Sequence, residues 1–317
     1  MGIGRLLYRL LGAALVMLAT LIATFLVLRL LPADPAAYLA TGPGMGPTEV
    51  AALRAHLGLD ETVPRQLWHL LWAVAHGDLG VSYTTGQPVL SDLAQRLPAS
   101  LILTAGGGGL AVLVGIPLGI VAAHRPHSGL DRLCQGLAVA GAAVPSFVVG
   151  LLLIAVFYGA LGWLPAPLGE TDPLVPTVTA RLAHLVLPSA TLALFALAPV
   201  LSITRAALLP VLASDAVLMA RATGLSRRTI LWHYALGPAA VPILSATTSL
   251  LATVVSANVV VEAVFAWPGV GTYALNAALT ADYAALEGFV FLWAGVMALM
   301  TLVVDTLAER LDPRVRS

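Results

Sequence analysis

The sequence predicts an all-α membrane protein with six transmembrane helices. Three observations carry this. Of 317 residues, 59% are hydrophobic and only 10% charged, against about 25% charged in an average soluble domain. Apolar runs of the roughly 20 residues needed to cross a hydrocarbon core recur along the whole chain. The arginines gather in alternate segments between those runs, as the positive-inside rule requires.

The first run, 10–31, follows Arg5 and Arg9. A signal peptide begins the same way, but the run is longer than such a segment. No clear small-residue cleavage site precedes Leu-Pro-Ala-Asp-Pro, so a retained helix is expected. The remaining runs are 99–123, 134–158, 183–204, 238–261 and 286–308. With the N-terminus inside, the inner segments hold Arg5, Arg9, Arg125, Arg132, Arg205, Arg221, Arg227, Arg228, Arg310, Arg314 and Arg316. The outer segments hold only Arg54, Arg65, Arg96 and Arg181, and Arg29 is expected to snorkel at the outer end of the first helix. Acidic residues lean outward, Asp34, Glu49, Asp60, Glu170, Asp172, Glu262 and Asp282 among them. Both termini are expected in the cytoplasm. Glu262 and Asp305 lie near helix ends, within reach of headgroups or local partners.

Two segments outside the spans stand out. Residues 32–97 form a long external region with a short helix expected at 48–58, started by Thr48, and another at 63–77. Trp68 and Trp72 are four apart and share a face of the second. That face either rests at the membrane interface or packs a small external core, and both readings are open. The second segment, 205–237, is expected in the cytoplasm. Pro210 permits an early helical turn, Gly224 interrupts the helix, Ser226 caps the next one, and Gly237-Pro238 stops it. Residues 218–236, LMARATGLSRRTILWHYAL, thus have the shape of a DNA-binding helix-turn-helix. DNA reading is disfavoured: membrane spans hold both ends, and a net charge of zero supplies no attraction for phosphates.

Other chemistry is excluded by residue type. All 16 basic residues are arginines, so there is no lysine for a P-loop or a Schiff base. The glycines at 106–109 sit inside an apolar run without a following GK[ST], and close helix packing explains them better. Gly115 and Gly119 form a GxxxG pair. Pro117 and Pro145 interrupt spans as kinks or as bending points. Cys134 has no partner thiol, and neither His124 and His127 nor His56, His69 and His76 complete a metal set. No catalytic constellation is present, and no metal site is expected.

Residues 218–245, LMARATGLSRRTILWHYALGPAAVPILS, resemble the cytoplasmic signature loop of bacterial ABC importer permeases, the EAA loop. Leu218 stands where many such permeases have Glu, and Met219 replaces the first Ala. Further matches run in order along the chain: RLLPADP at 29–35, HGDLGVSY at 76–83, RLPASLILT at 96–104, IPLGIVAA at 116–123 and VPSF at 144–147. LPSATLAL at 187–194, VVVEAVFAWPGVGTYALNAALTADY at 259–283 and LDPRVR at 311–316 complete the series. Over nearly the whole chain it is similar to the first permease of dipeptide, oligopeptide and nickel importers.

The resemblance implies a type I ABC importer permease (MetI-like) fold as one permease domain, 1–317, with an extracytoplasmic segment 32–97 and a coupling loop 205–237. It implies a second homologous permease subunit, two ATP-binding subunits and an extracytoplasmic solute-binding protein as partners, in a bacterial inner membrane. ATP and Mg would be bound by the ATPase subunits, with no cofactor on this chain. In the coupling loop it implies roles for Asp215, Ala220, Arg221, Gly224, Leu225, Ser226, Arg227, Arg228 and Ile230. Leu225 and Ile230 would give apolar contact to the ATPase, and the arginines would pair with an acidic rim or simply anchor the loop inside. Trp267, Pro268 and Gly269, with Asn258 and Glu262, would lie along the pathway or its outer gate. The alternative is a stand-alone secondary transporter or channel; the lack of an internal duplicate and the long cytoplasmic loop count against it.

Overall fold

The computed structural model describes residues 3–31, 34–40, 46–165, 167 and 178–311. Residues 170, 172 and 312–317, which carry part of the acidic set and most of the LDPRVR match, lie outside them, as do the side chains of Arg181, Asp305 and Arg310. The described chain is helical, with one isolated antiparallel bridge between Val81 and Pro88.

Helix α1 is Ile3–Leu30, α2 Pro35–Leu39, α3 Pro47–His56, α4 Val63–Ala75 and α5 Val89–His124. Helix α3 starts one residue before Thr48. Pro47 occupies the first turn, where its missing N–H costs nothing, and Glu49 Oε2 accepts the Gly46 N–H at 2.7 Å. Helix α6 is Gly129–Ala143, and α7 is Ser146–Leu153, continuing as a π-helical stretch Ile154–Ala160. Then come α8 Val178–Leu212, α9 Asp215–Ala222, α10 Arg227–Thr229 with a π-helical extension Ile230–Ala235, α11 Leu236–Val264, α12 Val270–Leu279 and α13 Tyr283–Leu311.

The expectation of six spans is met in part. Among the described residues, four helical stretches are long and apolar enough to cross a membrane: Leu7–Leu30, Val89–His124, Leu182–Leu212 and Tyr283–Val303. Counting the bent pair α6 and α7 gives up to five. The run expected at 134–158 is two helices meeting at 102°. Pro145 cannot donate to the preceding turn and forces the residue before it out of helical geometry; Val144 accordingly sits at φ −94°, ψ 124°. Pro117, by contrast, is carried inside α5 without interruption. The run expected at 238–261 lies in α11, whose apolar described part, Thr253–Val264, is shorter than a span.

The chain divides into two compact units, residues 1–99 with 268–299 and residues 100–267 with 300–317. In the first unit Leu79, Val89, Leu93, Val270, Tyr273 and Ala285 form a buried core. Asp282, itself buried, accepts the Ser82 hydroxyl at 2.6 Å and the Thr84 N–H at 3.0 Å through Oδ2, while Oδ1 caps Ala285 of α13. Arg29 does not snorkel. It pairs with Glu287, bonds Gln66 at 3.2 Å, and stacks over Phe25 at 3.9 Å, which holds its charge inside the unit. Trp68 and Trp72 stack at 6.3 Å and are exposed, so among the described residues no external core covers them.

In the second unit α5 packs along α8 through small residues. A Cβ added at Gly107 would stand 2.4 Å from Leu192 Cβ, and one at Gly119 would stand 2.6 Å from Thr204 Cβ. Gly115 meets Val200 in the same way. With Ala111 these residues recur every fourth position on one helix face. Gly107 is thus the first member of a packing row that the 115/119 pair continues; Gly106 packs beside it against Ser189, whereas a Cβ at Gly109 would meet nothing. Where α6 joins, Ala122, Cys134, Ala138, Ala198 and Leu201 bury one another. Arg205 of α8 forks onto the fully buried Asp131 of α6 at 2.6 and 3.0 Å.

Candidate functional site

The 205–237 segment folds differently from its expected outline in one respect. Helix α8 does not begin anew at Pro210; it runs through that residue to Leu212. The break falls at Ala213-Ser214, where the Ser214 hydroxyl donates to Val211 O at 2.7 Å and a new helix starts at Asp215. Asp215 is exposed in the first turn of α9, where a carboxylate complements the helix dipole.

Gly224 ends α9 with φ +80°. Its N–H donates to Arg221 O at 3.0 Å, and the Leu225 N–H donates to Ala220 O at 3.2 Å. This paired closure of a helix C-terminus places a residue in the left-handed region at the glycine, which only glycine enters without steric cost. Two residues later the Ser226 hydroxyl accepts the Thr229 N–H at 3.2 Å and caps α10. Residues 230–235 then widen into a π-helical turn, a form that often marks functional helices.

The side chains divide into two sets. Val217, Ala220 and Ile230 bury against one another and tie α9 to the helix beyond the turn. Ile230 is 3% exposed, so it has no free surface for a partner. The small Ala220 lets that contact form. Leu218 and Met219 face outward, 64% and 67% exposed, with Leu225 less so. Arg221, Arg227 and Arg228 are also exposed, and Trp232 and Tyr234 extend the outward surface. Sequence reasoning did not single out Met219, Trp232 or Tyr234 as contact residues, because α9 alone has no sequence marker for which stripe its neighbour covers.

The second group of candidates lies at the end of α11. Asn258 and Glu262 are fully buried, and Asn258 Nδ2 donates to Glu262 Oε1 at 2.8 Å and to Ser100 O of α5 at 3.2 Å. Glu262 therefore does not reach headgroups. The Asn258 Oδ1 is buried without a hydrogen-bond partner. Helix α11 closes like α9, with the Trp267 N–H donating to Glu262 O at 2.8 Å, but Ala266 takes the left-handed position at φ +47°. Trp267 and Gly269 are buried and Pro268 is exposed; Gly269 caps α12. Among the described residues no group of His, Cys, Asp and Glu could hold a metal ion.

Against known proteins, residues 115–317 match the model of the binding-protein-dependent transport system inner membrane component, and residues 3–104 match the N-terminal model of the same systems. The chain belongs to this family. It is a multi-pass inner-membrane permease subunit and not itself an enzyme. A Brucella abortus protein named as a peptide transport system permease is 35% identical over 95% of both chains. A D,D-dipeptide transport system permease of Escherichia coli is 36% identical, covering 96% of this chain and 95% of its own. The glutathione transport system permease of Pectobacterium atrosepticum is 33% identical over 97% of both chains. Among solved structures, the inward-facing MetNI methionine ABC transporter superposes with a TM-score of 0.57 at 18% identity, covering 70% of this chain and 96% of its own. An amino acid ABC transporter gives 0.51 at 18% identity, covering 71% and 94%. The fold is thus that of an ABC importer permease, and neither family nor fold supports a stand-alone transporter or channel.

Proposed function

We propose that this permease is one of two homologous membrane subunits of an importer for peptides or related small solutes, driven by two ATP-binding subunits and supplied by an extracytoplasmic binding protein. The relatives named for peptide, dipeptide and glutathione transport support this solute class. In this reading α11 and the bent α6 and α7 pair complete six spans. The alternation of arginines supports a cytoplasmic position for both termini and the 205–237 element.

The observation that carries the reading is the build of residues 215–235. Two short helices are locked by the Val217, Ala220 and Ile230 contact and by the closed turn at Gly224, so they move as one body. That body presents an apolar surface, Leu218, Met219 and Leu225, edged by arginines. It suits docking in a cleft of an ATPase subunit, with Arg221, Arg227 and Arg228 meeting an acidic rim and Leu218 giving apolar contact where many relatives would place Glu. Asp215 then complements the dipole of α9, Ser226 caps α10, and Ala220 and Ile230 form the internal tie. At the other end, the unpaired Asn258 Oδ1 supports a place beside the pathway, with Glu262 orienting Asn258 and the Trp267-Pro268-Gly269 turn acting as an outer gate. ATP and Mg belong to the partner subunits.

The test is uptake in proteoliposomes by the chain with its second permease, ATPase subunits and binding protein, using radiolabelled di- and tripeptides. Uptake that requires ATP and all four kinds of subunit is expected. Uptake by this chain alone, driven by an ion gradient, would refute the reading.

A further inference from the structure

The end of α5 with Arg125 forms two adjoining clefts with the 221–231 segment, the first completed by Leu130 of α6 and the second by Leu212 of α8. The first is about 480 Å³ and the second about 460 Å³. Arg125 and Arg227 line both; Arg228 adds to the first and Arg221 to the second. Guanidinium groups stay charged at any physiological pH. Among the described residues no carboxylate lines either cleft, and none of these arginines has a salt-bridge partner. Asp131, six residues beyond Arg125, is buried and already held by Arg205, and the exposed Asp215, six residues before Arg221, lines neither cleft. A concave surface with this much uncompensated positive charge calls for an anion.

The walls narrow the choice of anion. The first cleft is lined below its arginines by Ile120, Val121, Leu130 and Leu231. Val121 and Leu130 are exposed, and the apolar surface continues along the same helices through Leu113 on α5 and Leu133 on α6. A soluble phosphate would gain nothing from such a wall. A phospholipid would lay an acyl chain against it while its phosphate met the arginines. Basic pockets among helix ends at the cytoplasmic face are suited to acidic headgroups.

We propose that this arginine-lined cleft holds an anionic phospholipid, with its phosphodiester between Arg125 and Arg227 and one acyl chain along Val121 and Leu130. The lipid would join α5 and α6 to the 221–231 segment. This proposal needs the chain to span a bilayer and does not rest on the transported solute; it gives Arg227 to the lipid and leaves Arg221 and Arg228 for an ATPase rim.

The test uses the full-length permease within its purified complex, delipidated in detergent and titrated with phosphatidylglycerol or phosphatidylcholine. Native mass spectrometry reads the fraction that retains lipid. Retention of phosphatidylglycerol over phosphatidylcholine is expected. Arg125→Gln should weaken it about fivefold, as expected for one arginine at a membrane surface, and Arg125→Gln with Arg227→Gln should weaken it further. Arg132→Gln, which removes an exposed arginine of α6 outside both clefts, should leave retention unchanged, and matched elution volumes would show that each variant is folded. Equal retention of the two lipids, or equal loss with Arg132→Gln, would overturn the proposal. Competition by glycerol 3-phosphate as strong as by the lipid would assign the cleft to a soluble anion instead and overturn it too.

Discussion

Replacing Gly224 separates backbone strain from steric contact in the coupling element. Gly224 has φ +80°, and a Cβ built there meets nothing within 4 Å. The cost of a side chain is therefore the left-handed backbone alone, about 1–2 kcal/mol for an ordinary L-residue. Asn visits this region more readily because its amide bonds locally, and Val resists it most. At about 1.4 kcal/mol per tenfold, Ala should lower the ratio of closed to opened turn by roughly five- to thirtyfold, Asn by less and Val by more. The turn fixes the Val217, Ala220 and Ile230 contact, so opening it lets α9 slip relative to the helix that follows. The assay is proteoliposome uptake measured beside ATP hydrolysis, with solute capture by the binding protein as a control. Solutes taken up per ATP should fall in the order Gly, Asn, Ala, Val, while capture stays unchanged. Coupled uptake by Gly224→Val at the wild-type ratio would refute a force-bearing role. Asn worse than Ala would refute the backbone argument, because it would rank variants by size.

Three further outcomes follow from the packing. Asp131→Ala strands Arg205 beside a buried site and should cost about 3–5 kcal/mol, read as a large drop in the thermal midpoint of the detergent-solubilised protein; a drop no larger than that of Arg132→Gln would contradict the pairing. Gly107→Ala should destabilise by about 1–3 kcal/mol through overpacking against Leu192, whereas Gly109→Ala, whose Cβ meets nothing, should be neutral or stabilising by up to about 1 kcal/mol; equal effects would show that α5 does not approach α8 through this face. Burial pushes the Tyr83 hydroxyl from 10.0 up to about 12. The folded state thus favours the protonated form, and the contribution of Tyr83 to stability is complete below pH 10 and is lost as pH rises through about 12. Tyr83→Phe should flatten that part of the stability profile, and an unchanged alkaline limb would contradict the shift.

The features readable in the sequence were those set by local chemistry. Apolar length marked the spans at 10–31, 99–123, 183–204 and 286–308, because crossing a hydrocarbon core is a property of a single segment. Gly224 and Ser226 marked a turn and a cap within a few residues of chain, and the structure shows both. Pro145 marked a discontinuity, but its 102° consequence depends on what the two helix halves pack against. Trp267-Pro268-Gly269 marked a turn, but nothing marked Ala266 as its left-handed residue, a conformation alanine adopts there under its surroundings.

By itself, then, the sequence determined that this is a helical membrane permease and where its capped, glycine-closed element lies, since composition, run length and capping act over one or two turns. Only the tertiary structure decided which faces that element spends on itself and which remain free. Ile230 was expected to meet a partner and instead holds Val217 and Ala220. Arg29 was expected to reach for the interface and instead pairs with Glu287 across 258 residues. Arg205 counted as an inside charge with no named partner, and it forks onto Asp131, 74 residues away. Such pairings follow from which helices meet in three dimensions, and no periodicity along one helix encodes its neighbour.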